Sequence, residues 1–344
     1  MEVNNIILRF IGTENCMISP INNGLINTTY LIENNENQEK FILQKINTQV
    51  FKNPERIIHN HLTINKMLQE NNYPLHITEP VSSSFKEFLV KDIEGQQWRM
   101  TGYIDNSITF LTVPSAETAF KAAQAVSSFL SIINTETLPA IEDPLPGFIN
   151  FEKRITDYKN TLEHAAPDLK DKAHSEILQM NQLLDLPDRW ISMVRNNQLP
   201  KRIIHADTKI SNILFDQDHH PIAIIDLDTL MISTILYDFG NMIQSYTNIT
   251  NEDDGKAVNN FNSEIFKAVK EGFLYHLKDQ LTAEELENLD YAAQVVIYIQ
   301  AVRFLTDYLD GSIYYSTAYP EHNLDRTKNQ LELLKGLRRY LGVH

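Results

Sequence analysis

Cysteine is nearly absent. Cys16 stands alone in 344 residues, so no internal disulfide can form and a reducing compartment is the simplest home. No base is paired with that thiol in the sequence, which leaves it a structural role. Long apolar runs are missing too: no stretch of 18 occurs, and the opening MEVNNIILRFIG has no basic region leading into an apolar one. That argues against a membrane partner and a secretory signal and predicts a cytoplasmic protein. Positive charge is short, with 30 Lys and Arg against 45 Asp and Glu, a formal net charge of −15. Nucleic acid is thereby excluded as a partner, because affinity for phosphate backbones comes from Lys and Arg displacing counterions. A small anionic ligand is not excluded, since a bound divalent metal inverts the local field. What remains, 42% hydrophobic and 22% charged, is the composition of an ordinary globular chain.

Single hydrophobic cores seldom grow beyond roughly 250–300 residues, so this length predicts two lobes sharing a cleft. In the first hundred residues TYLIE, KFILQKI and KEFLVKD alternate apolar and polar positions between polar turns, the pattern of strands. One helix interrupts them, from Pro54 to about Glu70, with Ile57, Ile58, Leu62, Met67 and Leu68 near one face and Pro54 suited to the first turn. Beyond WRMTGYIDNS the periodicity becomes helical over 116–133, 151–164, 171–195, 257–280, 283–310 and 323–341. The expectation is an α+β fold: a small antiparallel sheet lobe with one helix over 1–104, and a larger, mainly helical lobe over 105–344.

Between the helices lies IIHADTKISN at 203–212, and past a hairpin tip at QDHHP comes IIDLD at 224–228. An acid at Asp207, an amide at Asn212 and an acid at Asp226, each behind strand-like residues, match the needs of phosphoryl transfer. One carboxylate accepts the attacking hydroxyl's proton while hard oxygen ligands hold Mg²⁺ against the phosphates. Asp207 takes the first role and Asn212 and Asp226 the second, with Asp228 as support or an added ligand. The bland alternative, strand-capping acids and a solvated turn, suits either motif alone better than both at this separation. A zinc or iron site at His205, His219 and His220 lacks Cys or a His-Glu metal spacing; His205 is expected to brace the loop by a backbone hydrogen bond.

The HxDxxxxN and DxD pattern resembles the protein-kinase-like superfamily in the form shared by aminoglycoside phosphotransferases and choline kinases. That resemblance puts Lys209 against the transferred phosphate. It also implies ATP as co-substrate. The literal DFG at Asp238–Gly240 lies too far past Asn212 to be the metal motif, and Asp238 is expected to fix the loop that follows it. In INNGLINTTYLI, Gly24 with Asn27 resembles the GxxNxxY/F phosphate loop of kinases for small metabolites; an ordinary hairpin turn is the alternative. Lys45 is the candidate cation for the α- and β-phosphates, with Gln44 in the alternative register, and the backbone of Thr101–Tyr103 would meet adenine. The helix offers only Glu55 and Glu70, at its two ends, to fix that lysine, a departure from the usual pattern.

GLINTTY, FILQKIN with FKNPE, HADTKISN, IIDLDT, YDFG, RFLTDYLDGSIYY and NLDRTKNQLELL together resemble bacterial N-acetylhexosamine 1-kinases over nearly the whole chain. The resemblance implies phosphorylation of the anomeric hydroxyl of N-acetylglucosamine or N-acetylgalactosamine. A neutral hexosamine wants a bidentate donor, carboxylate acceptors and an aromatic face; Arg303, Asp307 and Tyr314 offer these, and Asp228 could reach a hydroxyl. Arg303 and Asp307, four apart on a helix, could equally form a surface ion pair. The competing readings are a kinase for an aminoglycoside, choline, homoserine or methylthioribose, and a catalytically silent nucleotide-binding protein of the same fold. A protein kinase lacks both a full glycine-rich loop and an activation segment. Monomer and homodimer both remain open.

Overall fold

The computed structural model describes residues 2–21 and 26–343. It opens on a helix, α1 (Glu2–Ile11), where the sequence reading expects none. Ile6, Ile7 and Phe10 lie at helical spacing and are buried, and Gly12, at φ 78°, ends the helix with its N–H on Leu8 O. Strands β1 (Cys16–Ile21), β2 (Thr28–Asn34) and β3 (Lys40–Lys45) follow, then helix α2 (Pro54–Glu70) and strands β4 (Pro80–Val81), β5 (Val90–Lys91) and β6 (Gln97–Gly102). The sheet runs β1-β2-β3-β6-β4 with β5 also on β6, each pairing antiparallel. Helix α2 keeps its expected ends, but its buried face runs through Ile57, His61, Ile64 and Leu68, and Leu62 points outward at 36% exposure.

Sheet alternation sorts these residues. Ile32, Leu43, Trp98 and Met100 pack on the α1 face with Ile6, Ile7 and Phe10. Gln44 pairs with Arg99, one step out of phase, so both turn to the opposite face.

Further helices are α3 (Ala116–Ile133), α4 (Phe151–His164), α5 (Pro167–Lys172), α6 (His174–Gln182) and α7 (Asp185–Arg195). The single helix expected over 171–195 is thus interrupted twice. The short strands β7 (Arg202–Ile204), β8 (Ile213–Phe215), β9 (Pro221–Ile224) and β10 (Met231–Ser233) come next, with β8 and β9 forming a hairpin. Helices α8 (Ile235–Tyr246), α9 (Ser263–Leu277), α10 (Ala283–Glu287), α11 (Leu289–Leu309) and α12 (His322–Leu341) complete the chain. Helix α11 is buried along most of its length, and Tyr291 and Tyr298 donate from it to the Leu186 and Met180 carbonyls. Helix α9 begins later than its periodicity predicts because the Asn262 side chain accepts from the Glu264 and Ile265 N–H groups and caps it there. Helix α8 was not anticipated: it contains the YDFG segment, whose Gly240 lies so close to α11 that a Cβ would sit 2.5 Å from Val296 Cγ2 and 2.8 Å from Ala292 O.

Two compact units result, and neither is one continuous stretch. The first comprises Met1–Ile108, Ile132–Pro146 and Leu214–Ile232; the second comprises Thr109–Ser131, Gly147–Ile213 and Ser233–His344. The hairpin joins the first unit through His76 N–H to Ile222 O and paired hydrogen bonds between Ile108 and Phe215. Among the described residues no helix is long and apolar enough to cross a membrane.

Candidate active site

The loop after β7 belongs to the second unit. Its Asp207 carboxylate is partly exposed, at 27%, and its Oδ2 receives Lys209 Nζ at 2.7 Å and Asn212 Nδ2 at 2.9 Å. Asn212 Nδ2 also donates to Asp207 O at 2.9 Å. Two consequences follow from those donors. Both converge on Oδ2, and no described hydrogen bond takes Oδ1. The Asn212 amide, with its nitrogen engaged, presents only its oxygen to a further partner.

This loop has a left-handed residue, Ala206, at φ 63°, a conformation that costs a non-glycine residue about 1–2 kcal/mol. Asp238, in the first turn of α8 and fully buried, holds it there. Its Oδ2 accepts from His205 N–H and its Oδ1 from Ala206 N–H, each at 2.8 Å. Thr208 Oγ1 donates to the Asp238 carbonyl at 3.0 Å. The His205 ring accepts from Asp207 N–H at 3.3 Å through Nδ1, the expected bracing bond. Asp238 therefore fixes the loop that precedes it in sequence, a correction to the expectation that it secures the following one. Nothing in a linear motif shows which backbone a buried carboxylate reaches.

Burial pushes the Asp238 carboxyl from the usual 3.8 up to about 6, against the pull of His205 and the two N–H donors. A folded value above the unfolded one means that the native chain keeps a proton the unfolded chain releases between about pH 4 and 6. Stability should therefore fall as pH rises through that window, by on the order of 3 kcal/mol, and level off above it. Asp238→Asn cannot titrate, and it also leaves one of two N–H groups without an acceptor, at about 1–3 kcal/mol. Urea unfolding across pH 4–7 should show a lower midpoint for this variant and a flatter pH dependence; equal slopes would refute the assignment.

A second cluster in the same unit surrounds Arg303. It does not pair with Asp307. That carboxylate, 6% exposed, accepts from Tyr314 N–H at 2.7 Å, Tyr315 N–H at 3.0 Å and Asn323 Nδ2 at 2.8 Å, and so holds the 312–315 turn. Arg303 instead donates to Gln300 Oε1 and lies over the Phe148 and Tyr315 rings, 5.2 and 5.6 Å from their centroids. Burial lowers it, but Tyr315, Tyr237 and Tyr314 outweigh that and leave it raised. Arg154 stands near enough that burial first, and the Arg303 charge second, lower it. No carboxylate among the described residues comes within ion-pair reach of either guanidinium. Arg154 Nε and Tyr315 Oη are buried without hydrogen-bond partners. Glu252, raised chiefly by burial, is opposed first by the Arg326 charge and only weakly by Arg303, and its Oε1 accepts from Gln244 Nε2 at 3.2 Å. Tyr237 lies in the field of both this cluster and the Asp207 loop: burial pushes its phenol up to about 12, with Arg303 opposing the rise and Asp207 adding to it.

The first unit brings together a different set. Asp228, 3% exposed, meets Arg99 Nη1 through Oδ1 at 2.5 Å and accepts from Asn27 Nδ2 through Oδ2 at 2.9 Å. Both oxygens offered above to a sugar are thus engaged inside this unit. Arg99 also donates from Nε and Nη2 to Gln44 Oε1, at 3.0 and 2.8 Å. Burial, then the Arg99 charge, pushes neighbouring His61 down to about 4, so it is neutral. Asp226 follows β9 in a left-handed conformation, φ 63° and ψ 61°, and opens the turn that carries Asp228.

Lys45 pairs with Trp98 across β3 and β6. Its Nζ lies over the Trp98 ring, 5.8 Å from the centroid, on the α1 face of the sheet. Asn27 is drawn to Asp228, and its Oδ1 accepts from Asn47 N–H at 3.0 Å. Thr101 is buried within β6, and Tyr103 N–H donates to Lys40 O at 3.2 Å, so that donor meets adenine only by giving up this bond. Gly24 lies outside the described residues. Arg99, Arg154 and Tyr237 were missed by sequence reasoning. Each acts across a long sequence separation, and no local spacing marks it.

A profile of the phosphotransferase enzyme family matches residues 17–266, most of the chain. The chain belongs to that family. Among solved structures, this phosphotransferase is similar to a microcompartment-associated aminopropanol kinase, at 15% identity and TM-score 0.67, covering 99% of this chain and 97% of that one. It is also similar to choline kinase from Streptococcus pneumoniae, at 15% identity and TM-score 0.58, covering 98% of each. Spectinomycin phosphotransferase, in complex with ADP and spectinomycin, matches at 11% identity and TM-score 0.59, over 94% of this chain and 93% of that one. Likeness at these identities speaks for the fold alone: α+β and protein-kinase-like, an antiparallel sheet first and helices after.

Proposed function

We propose that this phosphotransferase is an ATP- and Mg²⁺-dependent kinase for a small neutral sugar, an N-acetylhexosamine, acting on its anomeric hydroxyl. The observation that carries the acceptor class is the pair of guanidiniums, Arg154 and Arg303, beside Tyr314 and Tyr315, with Tyr237 in the field of both Arg303 and Asp207. Two cations without a paired carboxylate among the described residues disfavour an ammonium group, which choline and aminopropanol carry. They suit the carbonyl and hydroxyl oxygens of an N-acetyl sugar, with the exposed Tyr314 ring as a face for it.

In this reading Asp207 Oδ1 accepts the proton of the attacking hydroxyl, and Lys209 and Asn212 keep the carboxylate turned toward it. An anomeric hydroxyl is more acidic than an ordinary alcohol, so no strongly basic carboxylate is required. Lys209 would also meet the transferred phosphate. ATP as the donor is supported by the ADP bound to spectinomycin phosphotransferase. Asn212 and Asp226, taken one by one, are each proposed as a Mg²⁺ ligand. Their donor chemistry fits: an amide whose oxygen alone remains to offer, and a carboxylate, are the hard ligands this ion takes. When bound, the ion neutralises charge on the phosphates.

The test is an acceptor panel with ATP and Mg²⁺, containing N-acetylglucosamine, N-acetylgalactosamine, choline, aminopropanol and spectinomycin, read by phosphorus NMR. A glycosyl 1-phosphate resonance is expected with one or both sugars. Turnover of an amino alcohol with none of either sugar would overturn the acceptor assignment.

A further inference from the structure

Three observations within the first unit belong together. Lys45, the residue a kinase would use as the fixed cation of its sheet, lies on the α1 face against Trp98. Arg99, on the opposite face, is 4% exposed, and its guanidinium is clamped between Gln44 and Asp228. Asp228 is two residues past Asp226, whose left-handed backbone needs its surroundings to hold it. Gln44 is itself fixed, since Nε2 donates to Thr29 Oγ1 at 3.2 Å, and Asn60 Nδ2 donates to Leu230 O at 3.1 Å on the far side of the same turn.

We infer that Arg99 is the positioning residue of the metal-binding turn: through its ion pair with Asp228 it fixes the backbone of Asp226 and keeps Asp228 from acting as an acceptor contact. Asn27 completes the arrangement. By donating to Asp228 and accepting from Asn47 N–H, it ties the start of β2 and the segment after β3 to the same carboxylate. The charge that a lysine and a helix glutamate would supply is thus replaced by an arginine on β6 and an aspartate beyond β9. This explains why α2 needs no acid in its middle. Arg99 also sets a positive charge beside the second of two closely spaced carboxylates, which would otherwise repel each other.

The inference rests on the kinase reading above, and its test separates the two. Binding of Mn²⁺ with ADP is followed by electron paramagnetic resonance on the purified full chain, alongside steady-state kinetics and thermal unfolding. Arg99→Met should weaken Mn²⁺·ADP binding by about 10–100-fold, the usual effect of removing a partner behind a metal ligand. Half-saturating Mg²⁺ should rise in parallel, with the acceptor KM unchanged. Arg99→Lys keeps the charge and guards against a misfolded variant; it should recover part of the binding. Asp228→Asn added to Arg99→Met should cost little more, because the two act as a unit. Unchanged Mn²⁺·ADP binding in a folded Arg99→Met protein would overturn the inference, as would a raised acceptor KM in Asp228→Asn with metal binding intact. A wild-type protein that binds Mn²⁺·ADP yet phosphorylates neither sugar defeats only the acceptor assignment, and the metal titration still decides the role of Arg99. Wild-type protein that binds no Mn²⁺·ADP overturns both.

Discussion

Asp207→Asn is expected to lower kcat by about 10²–10⁴-fold while ADP binding stays near its wild-type level. The substitution keeps the size of the side chain and one oxygen, but removes the charge that Lys209 and Asn212 orient. An acid–base role predicts that the loss falls on kcat and not on nucleotide affinity. Single-turnover kinetics with labelled ATP would measure it directly. A variant with near-normal turnover would show that the loop serves another purpose, and a loss confined to KM for ATP would move Asp207 to nucleotide binding. Lys209→Ala is no substitute for this test, since it disturbs both the carboxylate and the phosphate contact the reading assigns.

The second large effect is expected at Arg303. Hydrogen bonds from a charged donor are worth about 1.5–3 kcal/mol each, so Arg303→Met should reduce kcat/KM for the sugar by about 10²-fold, chiefly through KM. The ATP KM should not move. Methionine keeps apolar contact with Phe148 and Tyr315, which limits the structural loss to the stacking of a cation over two rings and the hydrogen bond to Gln300. Charge predicts a further outcome: replacing Arg154 and Arg303 together should relax the exclusion of amino alcohols, measured as a rise in their kcat/KM relative to the sugar. If the wild-type protein already accepts choline readily, the guanidiniums do not select the acceptor.

The parts of this site that were legible in the sequence are those carried by contiguous residues. Asp207, Lys209 and Asn212 lie within one loop, and the structure joins them by direct hydrogen bonds. Helices α3 and α4 fill the spans their periodicity predicts. Helix α1 escaped notice because it is ten residues long and follows the N-terminus without a capping signal. Helix α8 escaped because its Asp-Phe-Gly segment reads as a loop motif. Its glycine is present for close packing against Val296, a requirement that only the partner helix reveals.

Side-chain partners were the illegible part. Arg303 and Asp307 are four apart on one helix, and spacing alone favours an ion pair. The aspartate nevertheless turns to three donors from the 314–323 region, and the arginine to aromatic rings. Asp238 shows the same limit, since the two N–H groups it accepts from lie more than 30 residues earlier.

The sequence by itself determined the α+β order of elements, the acidic, disulfide-free character of the chain, the loop that carries Asp207 and membership of a phosphotransferase family. These properties depend on composition and on neighbours within a few residues, where chain connectivity already fixes proximity. Only the tertiary structure decided that Arg99 and not Lys45 reaches Asp228, that Asp238 holds the Asp207 loop by hydrogen bonds, and that Arg154 lies in the field of Arg303. The reason is geometric. Adjacent residues of a strand face opposite ways, so a change of one position in phase exchanges the two sides of a sheet. Contacts across a hundred residues depend on how buried surfaces pack, which no local pattern records.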